Sequence, residues 1–266
     1  MEAVRVERVG ADIAIVRFDR PGRSNAFDVD GMVQLQRRLA ELEGEADVRL
    51  IVLTGAGAAF CAGLDLRSVL DDERRLRLSV RDSYELQECF ERSVRMLRRS
   101  NKVIIAAVNG AAVGAGLALC LAADIRIAAR SASFHIGAVK IGLTAGECGI
   151  SYHLPRLIGA SRAFELMLTG RPVDAAEAER IGLVALVVDD NALLDRALAT
   201  ARQVLRNSPY ATRHTKRLMW ANLDAPSLDA ALELENRAQV LALTTADFAE
   251  GARAFVEKRE PRYTGH

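Results

Sequence analysis

The sequence predicts an α/β fold followed by an all-helical region, on three observations. Short β-branched, apolar runs alternate with helix-spaced segments through the first part of the chain. The plan of a strand ending in a glycine-rich turn occurs twice, at residues 55–63 and 109–114. Beyond Asn191 every segment has helical spacing, punctuated by Pro209, Pro226 and Pro261. We therefore expect a core over residues 1–190 and a helical appendage over 191–266, sizes compatible with one large hydrophobic core.

Ile13–Phe18 reads as a strand within an N-terminus that alternates throughout, and the turn DRPGRSNAF follows it. In the next helix Met32, Leu35, Leu39 and Leu42 share one face, with Asp28 as a candidate N-cap. Residues 49–54 form a β-rich run, which suggests a strand, helix, strand crossover buried on both faces. Residues 71–99 are arginine-rich and read as a solvated face rather than an anion site. Their later part spaces Tyr84, Phe90, Val94 and Leu97 for an amphipathic helix. The earlier plan then repeats, with a strand at Val103–Val108, a helix at 115–122 and a strand at 125–128. A serine-capped helix at 161–168 and a second at 174–181, stopped by Gly170 and Gly182, precede an apolar strand at 183–188. The appendage is expected to hold helices at 192–206, 212–223, 228–243 and 247–256.

Composition narrows the function. Hydrophobic residues make up 50% and charged residues 27%, with a net charge of +1, which indicates neither disorder nor bulk attraction to nucleic acid. The expected ligand is small. The most apolar stretch, 103–129, is broken by Asn109, Gly110, Asp124 and Arg126. A membrane span needs about 20 nearly uninterrupted apolar residues, so this stretch reads as buried core. Cys61, Cys89, Cys120 and Cys148 are widely spaced with no CxxC pair, which argues against a zinc or redox motif and for a reducing cytoplasm. The N-terminus lacks the charged-then-apolar plan of a signal peptide.

Glycine-rich turns after strands invite a nucleotide reading, which fails here. The dinucleotide fingerprint needs glycine where TGAGAAFCAG has Phe60 and NGAAVGAGLAL has Leu119, and no lysine followed by serine or threonine completes a phosphate loop. What the turns offer is bare backbone, because Gly63 and Gly114 carry no side chain to shield neighbouring amides. A helix starting at Ala115 would add unsatisfied N–H groups and a positive dipole end, suited to developing negative charge. Glycine at strand-to-helix junctions also serves ordinary tight packing, and spacing alone leaves both readings open.

Several motifs, in order, resemble the enoyl-CoA hydratase/isomerase family, the crotonase superfamily. They are RPGRSNAF at 20–27, AFCAGLDL at 59–66, VNGAAVGAGLALCLAADIRIAA at 108–129, KIGLTAGECG at 140–149, LPRLIG at 154–159 and AFVEKREP at 254–261. The resemblance implies a spiral of strand-strand-helix turns with a C-terminal helical region that forms a homotrimer, often a dimer of trimers. It implies an acyl-CoA or enoyl-CoA thioester as partner, with coenzyme A part of the substrate, and no separate cofactor or metal. It maps Leu64, after Gly63, and Ala115, after Gly114, onto the positions whose N–H groups hold the thioester oxygen. It places CoA near Arg23, Ser24, Ala62, Asp65 and Leu66, with Phe255 and Lys258 near the CoA end, from the same or a neighbouring subunit. Lys258 also reads as an ordinary solvated lysine. Removing a proton beside a thioester carbonyl puts charge on that oxygen, and one preorganised donor there is worth roughly 3–4 kcal/mol.

The sequence departs from the family where hydratases carry two glutamates to orient and deprotonate water, since those positions hold Ala118 and Ala138. Alanine neither takes nor gives a proton, so the two-carboxylate hydration mechanism is not supported. Glu147 instead resembles the acidic residue of the family's double-bond isomerases, in a loop one residue longer than in some relatives. One carboxylate suffices to remove a proton near the thioester and return it farther along the chain. Glu147 also reads as a helix-starting or structural acid. The expectation is enoyl-CoA isomerisation, with hydration by a non-standard acid or acyl-CoA binding without chemistry as alternatives. His135 and the cysteines read as packing, and Tyr152 is a weaker candidate to line the acyl pocket.

Overall fold

The computed structural model describes residues 2–265 apart from Asp71, Arg74 and Arg77. Those three belong to the arginine-rich stretch and lie outside the described residues. The N-terminal alternation resolves into a hairpin. Val4–Val9 (β1) and Ile13–Phe18 (β2) pair antiparallel, from Val4 opposite Phe18 to Val9 opposite Ile13, around Gly10 at φ 67°. Val29–Gly44 (α1) begins where the Asp28 carboxylate accepts the Gly31 N–H at 2.8 Å, and it buries Met32, Leu35, Leu39 and Leu42.

Leu50–Gly55 (β3), Ala59–Cys61 (β4), Val80–Arg99 (α2), Val103–Val108 (β5), Ala111–Val113 (β6), Ala115–Leu121 (α3), Ile125–Ala129 (β7) and Ser133–His135 (β8) follow in order. Next come Ile150–Ile158 (α4), Ala160–Thr169 (α5), Pro172–Asp174 (β9), Ala175–Arg180 (α6) and Leu186–Val188 (β10). Leu193–Leu205 (α7), Pro209–Asn222 (α8), Leu228–Leu243 (α9) and Ala246–Glu257 (α10) complete the chain. Two sheets form, in the orders β1-β2-β3-β5-β7-β10 and β4-β6-β8-β9. Pairing is parallel except at β1/β2 and β8/β9. Each turn of the spiral gives one strand to each sheet: β3 then β4, β5 then β6, β7 then β8.

Side chains alternate between the faces of the longer sheet. Ala14, Val16, Ile51, Leu53, Ile104 and Ala106 join the core built with the first three helices. Their neighbours Ile13, Ile15, Leu50, Val52, Ile105 and Ala107 pack the other way, with Leu193, Ala197, Leu198 and Ala201 of α7. The helical region therefore starts out built onto the sheet. Two local readings are corrected. Tyr84 is 68% exposed, and Leu86 and Ser93 complete the buried face of α2, which a Ser79/Asp82 capping box opens. Ser161 lies inside α5, whose N-cap is Gly159 with no side-chain cap bond.

Helix α8 is locked down by polar groups. Lys216 Nζ lies 2.9 Å from Asp124 Oδ2 and donates to the carbonyls of Leu97 and Lys102, while Trp220 Nε1 donates to Asp124 Oδ1 at 2.7 Å. The Arg98 guanidinium stacks 3.7 Å from the Trp220 ring centre and donates to His153 Nδ1 at 3.2 Å. Since arginine only donates, the neutral imidazole keeps its proton on Nε2. Burial, then the Arg98 charge, holds the His153 pKa down to about 4 from 6.5. Between those two values the unfolded chain binds the extra proton, so stability falls as pH drops through this window. About 2 kcal/mol is expected to be lost between pH 7 and pH 5. Urea unfolding at both pH values should show His153→Gln flatter than the parent by that amount, and an unchanged pH dependence would clear His153.

Helix α9 buries no residue, leaving Leu228, Val240, Leu241 and Leu243 exposed. Among the described residues no helix is long and apolar enough to cross a membrane.

Candidate active site

The site is assembled from three loops. In the first, residues 20–27, a short 3-10 turn at Pro21–Arg23 runs into Ser24 and Asn25, both left-handed at φ 49° and 57°. Asn25 is buried and fastens this loop to the first glycine turn. Its Oδ1 accepts the Arg20 N–H at 2.9 Å, and its Nδ2 donates to the carbonyls of Ala56 and Ala59 at 2.9 and 2.7 Å. Backbone bonds complete the lacing, from Ala62 N to Ser24 O, Phe27 N to Gly63 O and Asp65 N to Phe27 O. Asp65 Oδ2 lies 3.6 Å from both Arg20 and Arg23. Arg23, Ser24, Ala62, Asp65 and Leu66 are thus gathered beside the first turn. Asn25→Ala leaves the Ala56 carbonyl and the Arg20 N–H without partners, while Ala59 O keeps a bond from Asn109 Nδ2 at 3.2 Å. It is expected to lower stability by about 2 kcal/mol, read from the urea midpoint, and an unchanged midpoint would deny Asn25 this role.

The second and third loops bring the two glycine turns against each other. Gly63 has φ 81°, and a methyl group there would stand 2.7 Å from Val113 O and 3.1 Å from Ala115 N. Hydrogen in place of a side chain therefore leaves the Ala115 amide uncovered. The approach is set by Gly116, where a methyl group would fall 2.1 Å from Cys61 O. Phe27 uses Gly63 O and Asp65 N on its side of the strand-like segment, which turns the Leu64 N–H the other way. Among the described residues neither Leu64 N nor Ala115 N donates a hydrogen bond. α3 itself is short, seven residues, so proximity of the amides matters more here than a helix dipole.

Glu147 joins them. Gly114, at φ 51°, is so close that a methyl group there would lie 3.0 Å from Glu147 Oε1. The carboxylate is half-buried, and burial raises its pKa above the ordinary carboxylate range. It reaches this position because Cys148 and Gly149 are consecutive left-handed residues, at φ 46° and 85°, before α4 begins. A titratable acid of raised pKa therefore stands against Gly114, the residue before the free Ala115 amide, a combination suited to proton abstraction next to a carbonyl.

The sequence profile named enoyl-CoA hydratase/isomerase matches residues 8–266. The chain belongs to the enoyl-CoA hydratase/isomerase family. It is similar to a Mycobacterium tuberculosis protein named "Probable enoyl-CoA hydratase EchA12", at 46% identity over 266 residues, covering 98% of this chain and 92% of that one. A probable enoyl-CoA hydratase/isomerase from Mycobacterium abscessus superposes with a TM-score of 0.91 at 39% identity, covering 99% of both chains. A monofunctional enoyl CoA isomerase from M. smegmatis superposes with a TM-score of 0.75 at 42% identity, covering 87% of this chain and 99% of that one.

The two positions where hydratases of the enoyl-CoA hydratase/isomerase family carry glutamates are filled by packing. Ala118 is wholly buried in α3, and Ala138 sits buried in the 3-10 turn Gly137–Ile141. Phe255 is almost fully exposed on α10 and Lys258 caps that helix at φ 53°. Among the described residues no hydrogen bond or ion pair ties either to the turns. Cys61 and Cys120 are buried thiols with pKa pushed up to about 12, and His135 bonds Ser133 Oγ at 2.8 Å. Tyr152 faces the other way, bonding Asp224 under the Arg156 guanidinium. Neither Asn25 nor Gly116 stands out in the sequence, although each sits inside a quoted motif.

Proposed function

We propose that the chain isomerises an enoyl-CoA thioester by shifting its double bond, with the Leu64 and Ala115 amides as oxyanion hole and Glu147 as the single acid/base. The ionised carboxylate takes a proton from C2 of a 3-enoyl-CoA. The electron pair moves onto the thioester oxygen as a dienolate, and the two N–H groups stabilise that charge. Glu147 then returns the proton to C4, so the double bond ends between C2 and C3 and nothing is gained or lost. The observation that carries the reading is the Glu147 carboxylate against Gly114, with alanine at both alternative positions. Support also comes from the M. smegmatis relative, which is named an isomerase. Arg23, Ser24, Ala62, Asp65 and Leu66 are the groups we assign to CoA, and no other cofactor or metal enters the reaction. The exposed apolar residues of α9 support assembly of this chain with copies of itself.

Purified protein given 3-enoyl-CoA and 2-enoyl-CoA substrates of several chain lengths is expected to interconvert them. A 3-hydroxyacyl-CoA product would instead make it a hydratase. Tight thioester binding by calorimetry with no product from the panel would make it a binding protein.

A further inference from the structure

A cavity of about 300 Å³ opens between β7, α4 and α8 and shares no lining residue with the glycine turns. Its cationic groups are Arg126, Arg156 and Lys216. Lys216 is matched by Asp124, and Arg156 by Asp224 at 3.2 Å. Arg126 is different. It is 9% exposed, and among the described residues no carboxylate lies within ion-pair distance of it. Its Nε donates to Leu183 O at 2.9 Å and its Nη1 to Ala123 O at 2.6 Å, while Nη2 has no hydrogen bond among the described residues. Carbonyl oxygens satisfy donors but do not neutralise a charge, and Asp124, which favours the charged form from beyond ion-pair distance, is itself held by Lys216 and Trp220. Burial accordingly disfavours the charged form of Arg126, and the field of the surrounding arginines helps keep His153 neutral.

We propose that this cavity is an anion site that takes a small carboxylate with a short apolar body. The carboxylate would sit on Arg126 Nη2, with Arg156 at the rim, and the apolar body along Leu157 and Trp220, which also line the cavity. A monoanion fits better than a phosphate dianion because Asp124 shares the wall and repels the second charge. The volume suits a ligand of a few carbons and excludes a whole CoA ester.

The test is calorimetry of the full chain with hexanoate, with 1-hexanol as the uncharged control, each repeated at saturating CoA. Hexanoate is expected to bind whether or not CoA is present, with hexanol at least about tenfold weaker and Arg126→Gln weakening hexanoate by about tenfold. Should Arg126→Gln not fold, Arg156→Gln at the rim is expected to weaken hexanoate by a smaller factor. Crystals soaked in 6-bromohexanoate should then place the bromine in this cavity. No binding to the parent protein, equal binding of hexanol, displacement by CoA, or bromine at the glycine turns would overturn the proposal. So would a side chain of a second copy filling the cavity.

Discussion

Glutamine in place of Glu147 is expected to lower turnover of a 3-enoyl-CoA by about a thousandfold, with thioester affinity little changed. The substitution keeps the shape of the side chain and removes only its capacity to take a proton. Because the amides proposed for the oxyanion hole and the loop proposed to face CoA are untouched, the loss should fall on kcat rather than KM. The pH profile supplies an independent check. Burial raises the pKa of Glu147, and the carboxylate must be ionised to remove the C2 proton. The rate of the parent enzyme should therefore rise with pH through a midpoint above the ordinary glutamate range, and that limb should vanish in Glu147→Gln. Full activity in the variant, or an acid limb that survives it, would remove Glu147 from the chemistry.

Alanine at Gly63 is expected to cost about 10²- to 10³-fold in turnover, the scale of losing one oxyanion donor. The new methyl group would meet Val113 O at 2.7 Å and stand 3.1 Å from Ala115 N, covering an amide proposed to hold the oxygen. Residue 63 is also held at φ 81°, so part of the effect is backbone strain. Gly10 separates the two contributions, because it sits at φ 67° with nothing within 4 Å of a methyl group. Gly10→Ala should lose stability by about 1 kcal/mol and keep its turnover, whereas Gly63→Ala should lose both. Equal turnover in Gly63→Ala and the parent would mean that the Ala115 amide does not hold the oxygen.

The parts of this fold legible in sequence are those whose physics is local. β2, β5 and α9 are readable to the residue because each is bounded by polar or turn residues, the two strands as short, largely apolar runs and the helix by its length. β4, β6 and β8 span three residues each, too few for alternation, and they lie within segments whose composition reads as turn. Their pairing depends on contacts such as Ala59 opposite Ala111, some fifty positions away. The glycine turns were legible because Gly63 and Gly114 sit in ordered motifs, but their mutual contact was not, since it is made by Gly116 against Cys61. Glu147 stands out as a lone acid in its motif. What brings it to Gly114 is the left-handed backbone at Cys148, and cysteine gives no compositional hint of that conformation.

The same junction has a mechanical side. Ile150 N bonds back to Glu147 O at 2.8 Å, so the acid rides on the first turn of α4, with Gly149 as a pivot. Farther along that short rod, Tyr152 and Arg156 grip Asp224, and His153 packs against Trp220. The tail thereby acts as a splint on Glu147, holding the far end of a lever whose near end carries the proposed base against Gly114. Residues that never meet a substrate can in this way tune how fast it reacts.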